Sequence, residues 1–175
     1  MLTQPILTLR NLFLGLFFFS CISPALSQEN HTVYINLGGQ GIEASYKYRL
    51  TYDIHVEAFL GLGPGYQLEK DKGYTVEYDF IPFAKTNLKW HFVNEEERKF
   101  YLGTQAKYSF GKVTDDSFNK ILLTELHIGH EERFTKRLLL NIHVGGGYIQ
   151  DFDVQRGEFI FTFGVTLKYA ILSRK

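Results

Sequence analysis

From His31 onward the chain alternates apolar and polar side chains with a period of two, the period of a half-buried strand rather than a helix. Between Gly41 and Leu50, one face carries Ile42, Ala44, Tyr46, Tyr48 and Leu50, and the other carries Glu43, Ser45, Lys47 and Arg49. The next stretch repeats the pattern, with Ile54, Val56, Ala58, Leu60 and Leu62 set against His55, Glu57, Phe59 and Gly61. Near the end, Phe159, Phe161, Phe163, Val165, Leu167, Tyr169 and Ile171 alternate with Ile160, Thr162, Gly164, Thr166, Lys168 and Ala170. No amphipathic helix of useful length interrupts this. The fold class is therefore all-β, with strands expected at 31–38, 41–50, 53–63, 74–92, 99–111, 119–134, 137–150 and 157–172.

The connections fall into two kinds. Leu50 to Asp53, Val93 to Arg98 and Thr135 to Lys136 are short, whereas Gly63 to Gly73, Lys112 to Asn119 and Asp151 to Gly157 are longer and richer in Gly, Asp and Asn. Short and long alternate along the chain, as in an up-and-down antiparallel meander whose two rims differ. Reading 31–50 as one strand would give seven strands. A turn at Gly38-Gly39-Gln40-Gly41 gives eight, the even number that bacterial membrane barrels have, and brings both termini to the short-turn rim.

Alternation alone does not say which face points inward. A soluble lipocalin-like barrel would turn the apolar face in, around an apolar ligand. Bulk argues for the reverse, because an eight-stranded barrel is only just wide enough for its own side chains. The Phe, Tyr, Leu and Ile of the apolar faces would overfill it. The polar faces suit a crowded centre better, since they carry Gly61, Gly103, Gly129, Gly145, Gly147 and Gly164. Those faces also hold Glu43, Lys47, Arg49, Glu57, Glu77, Asp79, Lys85, Lys89, Lys107, Glu125, Glu131, Arg133 and Lys168, signs that are nearly balanced and able to pair. Aromatic positions add a third argument. Tyr46, Tyr48, Trp90, Phe92, Phe100, Phe134 and Tyr169 fall near the short-turn rim, and Tyr78, Tyr108, Tyr148 and Phe159 near the long-loop rim, with Phe110 beside them. Two aromatic girdles around an aliphatic band are the pattern a bilayer selects.

On these residues the chain resembles the small eight-stranded outer-membrane β-barrels of Gram-negative bacteria, over nearly all of 31–172 and as a pattern rather than a motif. The resemblance implies a single transmembrane barrel whose partners are the lipid bilayer and the outer-membrane assembly machinery. Such proteins usually end on an aromatic residue; here Tyr169 would serve from inside the tail Ala170–Lys175. Pro82, which cannot donate to a ladder, is expected above the bilayer at a bulge.

The amino terminus fits export. Arg10, the apolar run Leu12–Phe19 and the small residues of Ala25-Leu26-Ser27 make a secretory signal cut before Gln28. The expected division is thus 1–27 signal peptide and 28–175 barrel domain, in the outer membrane. A signal anchor is disfavoured by the shortness of the run. A lipid anchor at Cys21 is the other alternative, although Phe18-Phe19-Ser20 fits a lipoprotein cleavage box poorly. Cys21 is the one cysteine of the chain, so no disulfide framework is available. The formal net charge of +0 gives no reason to expect nucleic acid.

No catalytic constellation emerges. His127 and His130 are three apart, which sends them to opposite faces of a strand, so metal binding is not expected there. Lipid A deacylases among outer-membrane barrels place a catalytic His two residues before a Ser nucleophile; the corresponding pair here is His127 and Gly129, and the nucleophile is missing. His127 is expected instead to hydrogen-bond among Glu57, Glu125 and Lys107. Gly38–Gly41 lacks the Lys-Ser/Thr and the helix of a phosphate loop. The expectation is a non-enzymatic barrel without cofactor or metal, structural in role or binding an unknown partner through its loops. Its lumen network would comprise Glu43, Lys47, Arg49, His55, Glu57, Glu77, Lys89, Lys107, Glu125, His127, Arg133 and Lys168. The alternatives are a soluble periplasmic barrel for an apolar ligand and a lipid-A-modifying enzyme.

Overall fold

The computed structural model describes residues 31–69, 73–111 and 119–173, without the side chains of 66–79 and 173. Eight strands follow one another: β1 (His31–Gly38), β2 (Gly41–Arg49), β3 (Ile54–Glu69), β4 (Gly73–Asn94), β5 (Arg98–Ser109), β6 (Ile121–Arg133), β7 (Leu138–Asp151) and β8 (Arg156–Ser173). Each pairs antiparallel with the next and β1 closes on β8, so the sheet is a closed up-and-down barrel with no free lateral strand. The turn at Gly39-Gln40 separates β1 from β2, with Gly41 at φ 109°, a backbone conformation that suits glycine.

Two of the three expected long connections are corrected. The stretch 63–73 is not a loop: β3 stays paired with β4 as far as Glu69 opposite Gly73. Gly63-Pro64-Gly65 reads as a strand breaker in sequence, but a register shift between Gly63 and Gly65 absorbs it as a bulge, and Pro64 is spared a ladder bond. The connection after Asp151 is also tight, because Asp151 pairs with Arg156 across four residues in which Gln155 takes φ 55°. The third, Lys112–Asn119, lies outside the described residues apart from its last position. Pro82 sits in register opposite Leu62, exposed on the outer face, and its carbonyl accepts the Phe110 N–H at 3.1 Å. The bulge is a neighbour rather than its own site.

Following register partners around the barrel from Ile35 leads through Ala44, Leu60, Ala84, Tyr108, Leu122 and Gln150 to Gly157, whereas Ile35 itself pairs with Tyr169, twelve residues further along β8. That shear tilts the strands steeply. Side chains from non-adjacent strands therefore meet across the lumen.

The two faces separate as the alternation predicts. Leu60 (68% exposed), Leu126, Val144, Phe163 and Phe161 (99%) point outward, while Glu57, Lys89, Glu131 and Lys168 are buried inside. Of the girdle residues, Trp90, Phe92, Phe100, Phe134, Tyr169 and Phe159 are exposed on the outer face, and Tyr46, Tyr48, Tyr108 and Tyr148 are half-buried there. The Tyr78 side chain lies outside the described residues. Inward glycines make room for bulky neighbours. A Cβ on Gly103 would strike the His127 ring, one on Gly129 the Tyr101 ring and one on Gly164 the His143 ring.

Candidate functional site: the filled lumen and its open mouth

The lumen is layered from one rim to the other. Nearest the turn rim, three ammonium groups meet two carboxylates. Lys168 Nζ donates to Glu57 Oε1 at 2.6 Å and Oε2 at 2.8 Å; Lys89 donates to Glu131 and lies 3.5 Å from Glu57; Lys47 reaches Glu131 at 3.5 Å. Asn141 donates to the same Glu131 at 3.1 Å, the Tyr101 hydroxyl bonds Asn141 at 3.1 Å, and Lys89 stands 4.3 Å over the Tyr101 ring. Both carboxylates are 1% exposed, so these charges survive burial only through mutual pairing.

A second layer holds Glu125, which receives Gln105 Nε2 at 3.2 Å and lies 3.1 Å from His127 Nδ1 and 3.5 Å from His143 Nε2. Beside it, Lys85 donates to Glu43 at 2.6 Å and to Gln40 at 3.0 Å and stacks 4.1 Å over Phe59, while Lys107 stands 4.2 Å over Phe83. Toward the long-loop rim the polar residues give way to Ile81, Phe83, Ile121, Leu123 and Ile149, none more than 3% exposed. Ile121, Leu123 and Ile149 pack as one cluster with Ile160 against it.

Of the residues anticipated for the lumen, Glu43, His55, Glu57, Lys89, Lys107, Glu125, His127 and Lys168 are buried inside, and Lys47 is largely so. Arg49 and Arg133 line the open mouth at the turn rim. The Glu77 side chain lies outside the described residues. One partner assignment is corrected: His127 does not bridge to Glu57. Its ring faces Glu125, His143 (4.9 Å between ring centres) and Tyr101 (5.7 Å), while Glu57 belongs to the lysine layer below. His130 lies on the opposite face, its ring 4.6 Å from Phe100 and its Nε2 2.8 Å from Glu132.

The apolar end and the neutral polar members, Asn36, Asn87, Gln105, Asn141 and His143, were not anticipated. Strand parity carries that information, since Ile121 and Leu123 share the face of Glu125, and Phe83 that of Lys85. Among the described residues no group of three or more His, Cys, Asp or Glu is placed to hold a metal.

At the turn rim the lumen opens into a cavity of about 1220 Å³, lined by Lys47, Arg49, His55, Lys99 and Arg133 together with Glu96 and Glu97 of the β4–β5 turn. Arg49, His55, Lys99 and Arg133 also line an adjoining recess of about 230 Å³. In the β6–β7 turn nearby, Arg137 donates to the Tyr169 hydroxyl at 3.5 Å, which holds the guanidinium pKa above its usual value.

Comparison with protein-family models, with curated proteins and with solved structures finds no match.

Proposed function

We propose that this chain is a non-enzymatic outer-membrane β-barrel, exported by a signal cut before Gln28, whose lumen is sealed by ion pairs at one end and an apolar plug at the other. Its role on this reading is structural, or contact through the connections of its long-loop rim. One observation carries the proposal: the outer wall is apolar through its middle and the inside is charged. Leu60, Leu126, Val144 and Phe161 stand exposed at the centre of their strands, while Glu57, Lys89, Glu131 and Lys168 are withdrawn from solvent. Water penalises such an outer wall, as an exposed apolar patch of that extent. Hydrocarbon accepts it, and a closed barrel leaves no edge unpaired there.

The aromatic residues support the same orientation, with Trp90, Phe92, Phe100, Phe134 and Tyr169 toward one rim and Tyr108, Tyr148 and Phe159 toward the other. A soluble carrier for an apolar ligand needs an apolar internal cavity. Here the apolar end of the lumen is filled by Ile81, Phe83, Ile121, Leu123 and Ile149.

Fractionation of the native protein tests the proposal. It should sediment with outer membranes, resist alkaline carbonate, and migrate differently on gels when heated and unheated after detergent extraction. Recovery in the soluble fraction without detergent would refute it.

A further inference from the structure

The mouth at the turn rim differs from the rest of the lumen. Deeper in, Glu57, Glu131 and Glu43 are each touched by ammonium groups. At the mouth, cations gather around an open space. Lys47, Arg49, Lys99, Arg133, Lys136 and Arg137 line it, against Glu96 and Glu97. Glu131 is already held by Lys89, Lys47 and Asn141. At the boundary between the mouth and the packed interior lies His55. Its ring is 4.5 Å from that of His91, the residue is 3% exposed, and its Nδ1 has no hydrogen-bond partner among the described residues. A buried ring nitrogen left without a partner is costly unless something else meets it. His55 pairs in register with Arg49, so both project to the same side, and both line the large cavity and its recess.

We infer that this mouth is a binding site for a phosphorylated polyol, the phosphate being held by Lys99, Arg133 and Arg49 with His55 Nδ1–H donating to one of its oxygens. Guanidinium forks and an ammonium group are the side chains that hold phosphate best. The mouth, about 1220 Å³, leaves room for a body beyond the phosphate. Glu96 and Glu97, in the turn just before Lys99, supply acceptors for hydroxyl groups and no attraction for further negative charge. The chemistry is that of glycerol phosphate, whether free or as the headgroup of a lipid. The inference depends on the geometry of the mouth and holds whether or not the barrel is inserted in a membrane.

The test uses the full mature chain, folded in a neutral detergent and titrated calorimetrically at moderate salt with glycerol 3-phosphate, dihexanoyl phosphatidic acid below its micelle concentration, and glycerol. Either phosphate compound should bind saturably and glycerol should not. Binding of both points to the free molecule as sufficient, and binding of the phosphatidic acid alone points to a lipid headgroup. Lys99→Gln combined with Arg133→Gln should weaken binding at least tenfold, because both side chains reach the cavity and neither belongs to the buried ion pairs. Lys120→Gln, on the opposite rim, should leave binding unchanged. Heat-shifted gel migration of each variant verifies that the barrel has formed. Absence of saturable binding by both phosphate compounds would overturn the inference, as would equal affinity in a folded Lys99→Gln/Arg133→Gln variant or competition by chloride at matched ionic strength.

Discussion

Glu57→Gln should destabilise the barrel far more than Lys168→Met, although the two residues are partners in one ion pair. The reason lies in the count of charges around them. Lys47, Lys89 and Lys168 share the turn-rim layer with Glu57 and Glu131, linked by contacts of 3.5 Å or less. Removing Lys168 leaves two ammonium groups on two carboxylates, and Glu57 keeps Lys89 at 3.5 Å. The loss is then two charge-assisted hydrogen bonds, offset by relief of repulsion between lysines, for a net cost of roughly 1–2 kcal/mol. Removing the Glu57 charge leaves three buried ammonium groups on one carboxylate, an uncompensated buried charge of the kind that costs about 3–5 kcal/mol. The chain has a single Trp, so equilibrium urea unfolding in lipid vesicles can be followed by Trp90 fluorescence. A difference of about 2 kcal/mol gives a clear midpoint shift. The Glu57→Leu/Lys168→Met double variant should recover much of the Glu57→Gln loss. Equal cost for the two single variants, or greater cost for Lys168→Met, would refute the charge count.

Three further outcomes follow from the same packing. Leu60→Arg places a cation on the outer face at mid-strand and should cost about 2–4 kcal/mol in a bilayer, whereas a barrel surrounded by water would tolerate it; the same urea titration decides. Gly103→Val would force its side chain into the His127 ring and should lower stability by about 1–3 kcal/mol, as overpacking does, while Gly146→Ala on the outer face, whose Cβ would meet only Ile160 O at 3.9 Å, should be near neutral in the same assay. A lumen filled from Lys168 to Ile149 should pass little current, so planar-bilayer recordings should lack large, steady single-channel steps.

What the sequence disclosed and what it concealed divide along physical lines. A period of two put Lys47, Glu57, Lys89 and Lys168 on the polar sides of their strands, and the bulk of the apolar sides was the argument for turning the polar ones inward, where Glu57, Lys89 and Lys168 are buried. Strand ends came within about two residues except at the end of β3. The β3–β4 arm was hidden because Gly63, Pro64 and Gly65 look like a breaker, and only pairing with β4 reveals a bulge that the strand survives. The apolar end of the lumen was hidden for another reason. In Phe80–Phe83 and Ile121–Leu123 both faces are apolar, so no alternation remains to read, and parity has to be carried over from Lys85 and Glu125. Partners across the lumen were inaccessible to any local pattern, as Lys168 and Glu57 are 111 residues apart and meet only because the shear brings β8 over β3.

That layering bears on how the barrel stays closed without a disulfide. An ion pair buried on its own is weak support, since desolvation offsets its attraction. Here the paired charges also stack on aromatic faces, Lys89 on Tyr101, Lys85 on Phe59 and Lys107 on Phe83, where a cation keeps part of the stabilisation it had in water. Two of these rings occupy space beside an inward glycine: Tyr101 against Gly129, Phe83 against Gly61. Glycine, aromatic ring and lysine therefore act as one unit across neighbouring strands. Shortening the ring would strip the lysine of its platform and leave a void next to the glycine. Enlarging the glycine would displace the ring and with it the lysine. Balance of charge alone does not hold such a lumen; the shapes that set the charges apart do so as well.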